Sequence, residues 1–339
     1  MKILKKIAPP LCIILGFAVA FSISEAVCRA LHIPYNPAFE ARENALAQFD
    51  PDLGWAYRPK YSVKETEGGR DIYYYFDANG IRVPRPNTVL DPKKPSVLFI
   101  GCSYTMGHSL PYEESFVGQF DGNGVPYQIV NLGVQAYGTD QALLALKKYL
   151  PLFNTKVVVY TFLKVHILRN GNYDRHVLFP HMRFIGTKPL FKLNREGKLY
   201  LAKKPVIYQE YIHSWFLDLI KITVGKKLGT LHPFPMELTR AMIKEMKAYA
   251  ESEGAHFILL YWDWEFYDAF DRQQKNLNMN EFFKGLDIDA IYASHHAPPN
   301  WEKMRVKTSG HPNAAASQHV AKILLEYFRE KNLGQHWLS

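Results

Sequence analysis

The chain has 339 residues, 47% hydrophobic and 22% charged, and 41 Lys and Arg against 32 Asp and Glu leave a net charge of +9. That length and composition support a substantial core and exclude a disordered chain, a collagen-like repeat or a disulfide-scaffolded miniprotein. Only one segment is apolar enough to cross a bilayer, which excludes a multi-span transporter.

Lys2, Lys5 and Lys6 precede a charge-free run from Ile7 to Ile23. At 1.5 Å per residue the run covers about 25 Å, and Ser24 to Ala30 complete a span of the ~30 Å hydrocarbon core. Residues 1–30 therefore read as a single membrane anchor that meets the cytoplasmic membrane through residues 7–30. The short lysine-bearing end predicts an N-terminus inside and a domain on the outer, periplasmic or extracytoplasmic, face. A cleaved signal peptide is the rival, with Ala18-Val19-Ala20 as its small-residue site. Of the three cysteines, Cys12 and Cys28 fall in the apolar segment and Cys102 alone lies beyond it, so no intradomain disulfide is expected.

Residues 31–94 are rich in Pro, Gly, Tyr and Asn without helical periodicity and read as an irregular, β-rich lead-in. From 95 to 335 apolar strands alternate with amphipathic helices. SVLFIG (96–101), YQIVNL (127–132), KVVVYTF (156–162) and HFILLYW (256–262) are the strands, and 139–150, 236–253 and 314–330 carry helical patterns. Apolar strands alternating with helices predict an α/β domain whose parallel sheet is covered on both faces. Residues 171–235 interrupt the alternation as a basic, aromatic insertion with a hairpin around Asn194 to Gly197.

SVLFIG runs into GCSYTMG (101–107), which places Ser103 at a glycine-bounded turn past a strand's carboxyl end, where such sheets bind ligands. A serine there can attack an acyl carbon while its own amide holds the oxyanion. SGHPNAAA (309–316) sets His311 in a loop before the last helix, with Asn313 as N-cap. Each residue alone is a weak signal; the pairing makes both interesting.

Taken with FDPDLGWAYRP (49–59), FDANGIRVPRP (76–86), EESF (113–116) and VNLGVQAYGTDQALLAL (130–146), these motifs make the chain resemble the SGNH (GDSL-like) hydrolase superfamily, in its membrane-anchored, envelope-facing branch. The resemblance implies a three-layer α/β/α flavodoxin-like domain and ester hydrolysis or acyl transfer, with Ser103 as nucleophile and His311 as general base. It implies oxyanion donors at the backbone amides of Ser103 and of position 136, here Ala136 instead of glycine. The asparagine donor expected after the third strand is replaced by Val165, for which His166 or Arg169 would substitute. The aspartate expected two residues before the histidine is Ser309, leaving either a serine–histidine dyad or a carboxylate from elsewhere, such as Asp287, Asp289 or Glu302. Cys102, in place of the motif's aspartate, is expected to face inward.

His295 and His296 have no companion ligands at metal-binding spacing, so neither metal nor cofactor is expected. Tyr261, Trp262 and Trp264 either line an acyl or sugar pocket or pack the sheet's edge. Positive charge clusters over 183–228, including Lys203-Lys204 and Lys226-Lys227, and suits anionic lipid headgroups or acidic envelope polymers better than nucleic acid. The expectation is an extracytoplasmic serine esterase or acyltransferase acting on an acyl, foremost an acetyl, ester of an envelope glycan or lipid. The alternative is a non-catalytic module of the same fold that binds glycan or an envelope partner.

Overall fold

The computed structural model describes residues 2–34, 46–175, 185–210, 212–228, 235–263 and 277–333. Helix α1 (Lys2–Ala30) contains a stretch, Pro9–Ala30, with a mean hydropathy of 2.2, long and apolar enough to cross a membrane.

The lead-in folds as β1 (Ala47–Asp50), β2 (Gly54–Tyr57), β3 (Ser62–Glu67), β4 (Arg70–Phe76) and β5 (Arg82–Val83). Gly68 and Gly69, with φ of +60° and +80°, close the β3–β4 hairpin in the two-residue turn that glycine pairs favour. After it come β6 (Ser96–Gly101), α2 (Ser103–Met106), α3 (Phe116–Gly122), β7 (Gln128–Gly133), α4 (Thr139–Tyr149), β8 (Thr155–Phe162) and α5 (Val165–Asn170). The insertion supplies the antiparallel hairpin β9 (Leu190–Leu193) and β10 (Leu199–Lys203) and helix α6 (Trp215–Leu228). The chain then forms α7 (Met236–Ser252), β11 (His256–Tyr261), α8 (Met279–Phe283), β12 (Asp289–Tyr292) and α9 (Ala314–Glu330).

One sheet of eight strands, ordered β12-β11-β8-β6-β7-β5-β4-β3, organises the domain. The first five run parallel and the three lead-in strands join antiparallel, so the sheet runs across the 94/95 boundary. All six residues of β6 are buried, as befits a central parallel strand covered on both faces. Phe99 of β6 packs against Phe116 and Phe120 of α3, and Phe120 meets Phe328 of α9 with ring centroids 5.0 Å apart. Ile100 is registered with Tyr160 of β8, whose hydroxyl bonds Thr139 at the start of α4. Neighbouring residues of a strand face opposite ways, so α3 and α9 cover one face and α4 and its neighbours the other, giving three layers. The chain leaves β6 for β7 on one side and later returns to β8 on the other, so the strand order reverses at the carboxyl end of β6. This is where open α/β sheets form ligand crevices.

Candidate active site

The turn after β6 is built around glycine. A Cβ on Gly101 would lie 2.4 Å from Thr105 Oγ1 and 3.0 Å from the Thr161 carbonyl oxygen. Gly107, at φ +77°, ends the short helix and donates its N–H to the carbonyls of Ser103 and Tyr104. Cys102 is buried, as expected of an inward-facing residue, and Ser103 opens α2 at 7% exposure. As the first helical residue, Ser103 has no intrahelical acceptor for its amide.

His311 arrives on the loop before α9, which Asn313 caps by accepting the Ala316 N–H at 3.1 Å. Its Nε2 lies 2.9 Å from Ser103 Oγ. Its ring meets Tyr104 at 5.6 Å and the edge of His108 at 4.7 Å between centroids. The structure thus brings together the serine and histidine singled out in the sequence, 208 positions apart.

The other candidates have other partners. Ser309, at the aspartate position, shares a 2.9 Å hydrogen bond with Ser109 Oγ, and its hydroxyl receives the His311 backbone N–H at 3.4 Å. His166 is fully buried against Tyr160 and Phe162, with Nδ1 3.1 Å from the Tyr160 hydroxyl. Burial, then the neighbouring Arg169 and Arg175, holds its pKa well below the usual histidine value. Arg169 donates to the Tyr137 carbonyl at 2.7 Å. Of the two side chains proposed to stand in for the asparagine, His166 packs in the core and Arg169 supports the loop after β7. Of the carboxylates proposed from sequence, Asp287 pairs with Lys247, Asp289 with His256, and Glu302 is exposed. Tyr261 and Trp262 are core residues at 2% and 1% exposure, which favours packing of the two alternatives, and Trp264 lies outside the described residues.

Among the described residues, the carboxylate that the fold brings here is Glu67, at the end of β3. It is 6% exposed and accepts from Ser109 Oγ at 2.6 Å and Thr308 Oγ1 at 2.9 Å, with His108 Nε2 3.9 Å away. Glu67 thus ties the nucleophile turn to the histidine loop. Nothing around Glu67 in the sequence marks it; His108, five residues after Ser103, is the one member of this group whose position is suggestive.

Other lead-in side chains also brace the nucleophile turn and the loop after β7. Arg82, 2% exposed, donates to the carbonyls of Met106, Gly107 and Leu110, and its guanidinium lies over the Tyr74 ring. On the loop after β7, Ala136 adopts φ +67°, a left-handed conformation that favours glycine and strains an alanine. Trp55 Nε1 donates to the Gln135 carbonyl at 2.9 Å, the Tyr57 hydroxyl accepts the Gln135 N–H at 3.0 Å, and Arg175 donates to the Ala136 carbonyl. Gln135 Nε2 lies 2.6 Å from His108 Nδ1. Both peptide planes flanking Ala136 are therefore held by side chains from outside the parallel sheet.

A buried charge cluster stands behind this loop. Lys188 of the insertion and Asp140 of α4 form a fully buried ion pair, and Asp140 also accepts the Gln141 N–H at 2.8 Å. Burial lowers the Lys188 pKa, against the opposing pull of Asp140. Asp174, His213 and Asp218 lie close enough for one ion, but His213 Nδ1 already meets Asp218 at 2.6 Å and Tyr208 donates to Asp174.

The sequence matches no protein-family model and no curated protein. Similar solved structures include an esterase, EstA, from Pseudoalteromonas sp. at 10% identity and a TM-score of 0.41, covering 71% of this chain and 98% of that one. A member of the lipolytic G-D-S-L family from Veillonella parvula is 11% identical with a TM-score of 0.40, covering 69% and 98%. A GDSL-like lipase from Bacteroides thetaiotaomicron is 13% identical with a TM-score of 0.39, covering 71% and 89%. Likeness of that degree carries no argument about activity, which has to be read from the site.

Proposed function

We propose that the chain is a membrane-anchored serine esterase or acyltransferase whose domain stands on the outer face of the cytoplasmic membrane. The observation that carries this reading is the 2.9 Å contact between Ser103 Oγ and His311 Nε2 at the switch point of the sheet. Ser103 Oγ attacks the ester carbonyl carbon while His311 Nε2 takes its proton. The amides of Ser103 and Ala136 receive the oxyanion, and His311 returns the proton to the departing alkoxide. Water resolves the acyl-serine in hydrolysis; a second hydroxyl does so in transfer. The anchor favours an ester on an envelope polymer or lipid, foremost an acetylated glycan, over a diffusing ester.

Two features favour a second reading, a non-catalytic glycan- or partner-binding module. Ser309, where the resemblance places a carboxylate, turns its hydroxyl to Ser109, and Val165 stands where the resemblance places a side-chain oxyanion donor, a group whose loss costs about 100- to 1,000-fold in rate. Fluorophosphonate labelling of the full chain in detergent, with peptide mapping, separates the two. A single adduct on Ser103 that is lost in His311→Ala is the expected result. A folded protein without adduct would favour the binding module, and an adduct on Cys102 would move the nucleophile.

A further inference from the structure

Helix α6 turns an apolar face outward. Leu217, Ile220, Val224 and Leu228 are 53%, 41%, 46% and 69% exposed, and Ile212 just ahead of the helix is 98% exposed. Their spacing of three, four and four residues puts the helical four on one stripe. The exposed Lys221 and Lys227 fall on the two edges of that stripe, while Ile222 and Gly225 are buried on the opposite side. A contiguous apolar stripe of this kind marks an interaction surface in place of ordinary scatter.

The position of α6 identifies its partner. Its first turn is fastened to the outer end of α1: Glu25 accepts from Ser214 Oγ at 2.7 Å and from the Phe216 N–H at 2.9 Å. Phe21 meets Phe216, and the Arg29 guanidinium lies over the Trp215 ring. Leu11, Ile13, Ile14, Leu15, Phe17 and Val19 of α1 are all more than half exposed, so α6 leaves α1 after this joint and does not run back along it. A helix that is fastened to the end of a spanning segment, does not pack along it and flanks an exposed apolar stripe with lysines has the form of one lying in a bilayer surface.

We infer that α6 is a second membrane contact, an interfacial helix whose stripe enters the acyl–headgroup boundary while Lys221 and Lys227 meet anionic headgroups. The inference rests on the reading of α1 as the anchor, and it fixes the height and tilt of the domain over the bilayer.

The test is photolabelling of the full chain in nanodiscs of phosphatidylglycerol and phosphatidylethanolamine doped with a lipid bearing a diazirine on its acyl chain, followed by peptide mapping. Adducts in 212–228 as well as in 9–30 are expected. Ile220→Asp with Val224→Asp should remove most of the former, about tenfold, and leave the latter. Neutral phosphatidylcholine should lower labelling of 212–228 by about threefold. Adducts in 9–30 with none in 212–228 would overturn the inference while the anchor stands, and adducts in neither would overturn both. Protection of 212–228 together with a dimeric mass would give the face to a second copy of the chain and overturn the membrane assignment.

Discussion

The indole Nε1 of Trp55 donates to the carbonyl oxygen of Gln135 at 2.9 Å. In a trans peptide the C=O and the following N–H point opposite ways, so this bond aims the Ala136 amide away from Trp55. Trp55→Phe keeps an aromatic ring but removes the donor, leaving a buried carbonyl unsatisfied and the plane free to rotate. Losing a bond worth about 1–1.5 kcal/mol should lower kcat for p-nitrophenyl acetate by about tenfold with KM little changed. A loss of thermal stability with kcat intact would make Trp55 a packing residue only.

Arg82 satisfies three carbonyls of the 106–110 turn with one planar guanidinium. A lysine ammonium in its place cannot span them. Arg82→Lys should lower unfolding free energy by about 2–6 kcal/mol, at about 1–3 for each of the two carbonyls left without a donor, read as a shifted urea midpoint at constant slope. An unchanged midpoint would mean that the Gly107 and His108 amides on the Ser103 carbonyl suffice to hold the turn.

Lys188 and Asp140 join the insertion to the start of α4 with no exposure of either side chain. Lys188→Met should cost about 3–5 kcal/mol because it strands a buried carboxylate. Adding Asp140→Asn should recover part of that loss, since the amide oxygen still accepts from the Gln141 backbone. Urea denaturation of the single and double variants measures the coupling, and strictly additive losses would show that the pair is not coupled.

His166 titrates only when the chain unfolds. Its folded pKa is depressed by burial, so above the unfolded value of about 6.5 it contributes no pH dependence. Below that value the unfolded chain binds a proton that the folded one refuses, and stability falls by up to about 1.4 kcal/mol per pH unit. His166→Asn should therefore shrink the stability difference between pH 7.5 and 5.5 by about 1.4 kcal/mol. An unaltered difference would mean that the folded protein accepts the proton.

Apolar strands such as SVLFIG and the helical periodicities over 236–253 and 314–330 announce the α/β domain, because a parallel strand buried on both faces and an amphipathic helix each write their environment into consecutive residues. Ser103 and His311 were legible for a related reason: each sits where a strand end or a helix start forces a recognisable local motif of glycine or N-cap. The short strand β12 and helix α5 were not legible, since four to six residues carry too little periodicity. Glu67, Arg82, Trp55 and Arg175 could be assigned only from the tertiary structure. Their roles are hydrogen bonds to carbonyls and hydroxyls distant in the chain, and a backbone carbonyl has the same chemistry at every position, so its partner leaves no mark beside it in the sequence. The antiparallel extension that carries Glu67 and Arg82 onto the rim of the parallel sheet decided which carboxylate and which cation reach the site, and spacing along the chain holds no record of that edge-to-edge pairing.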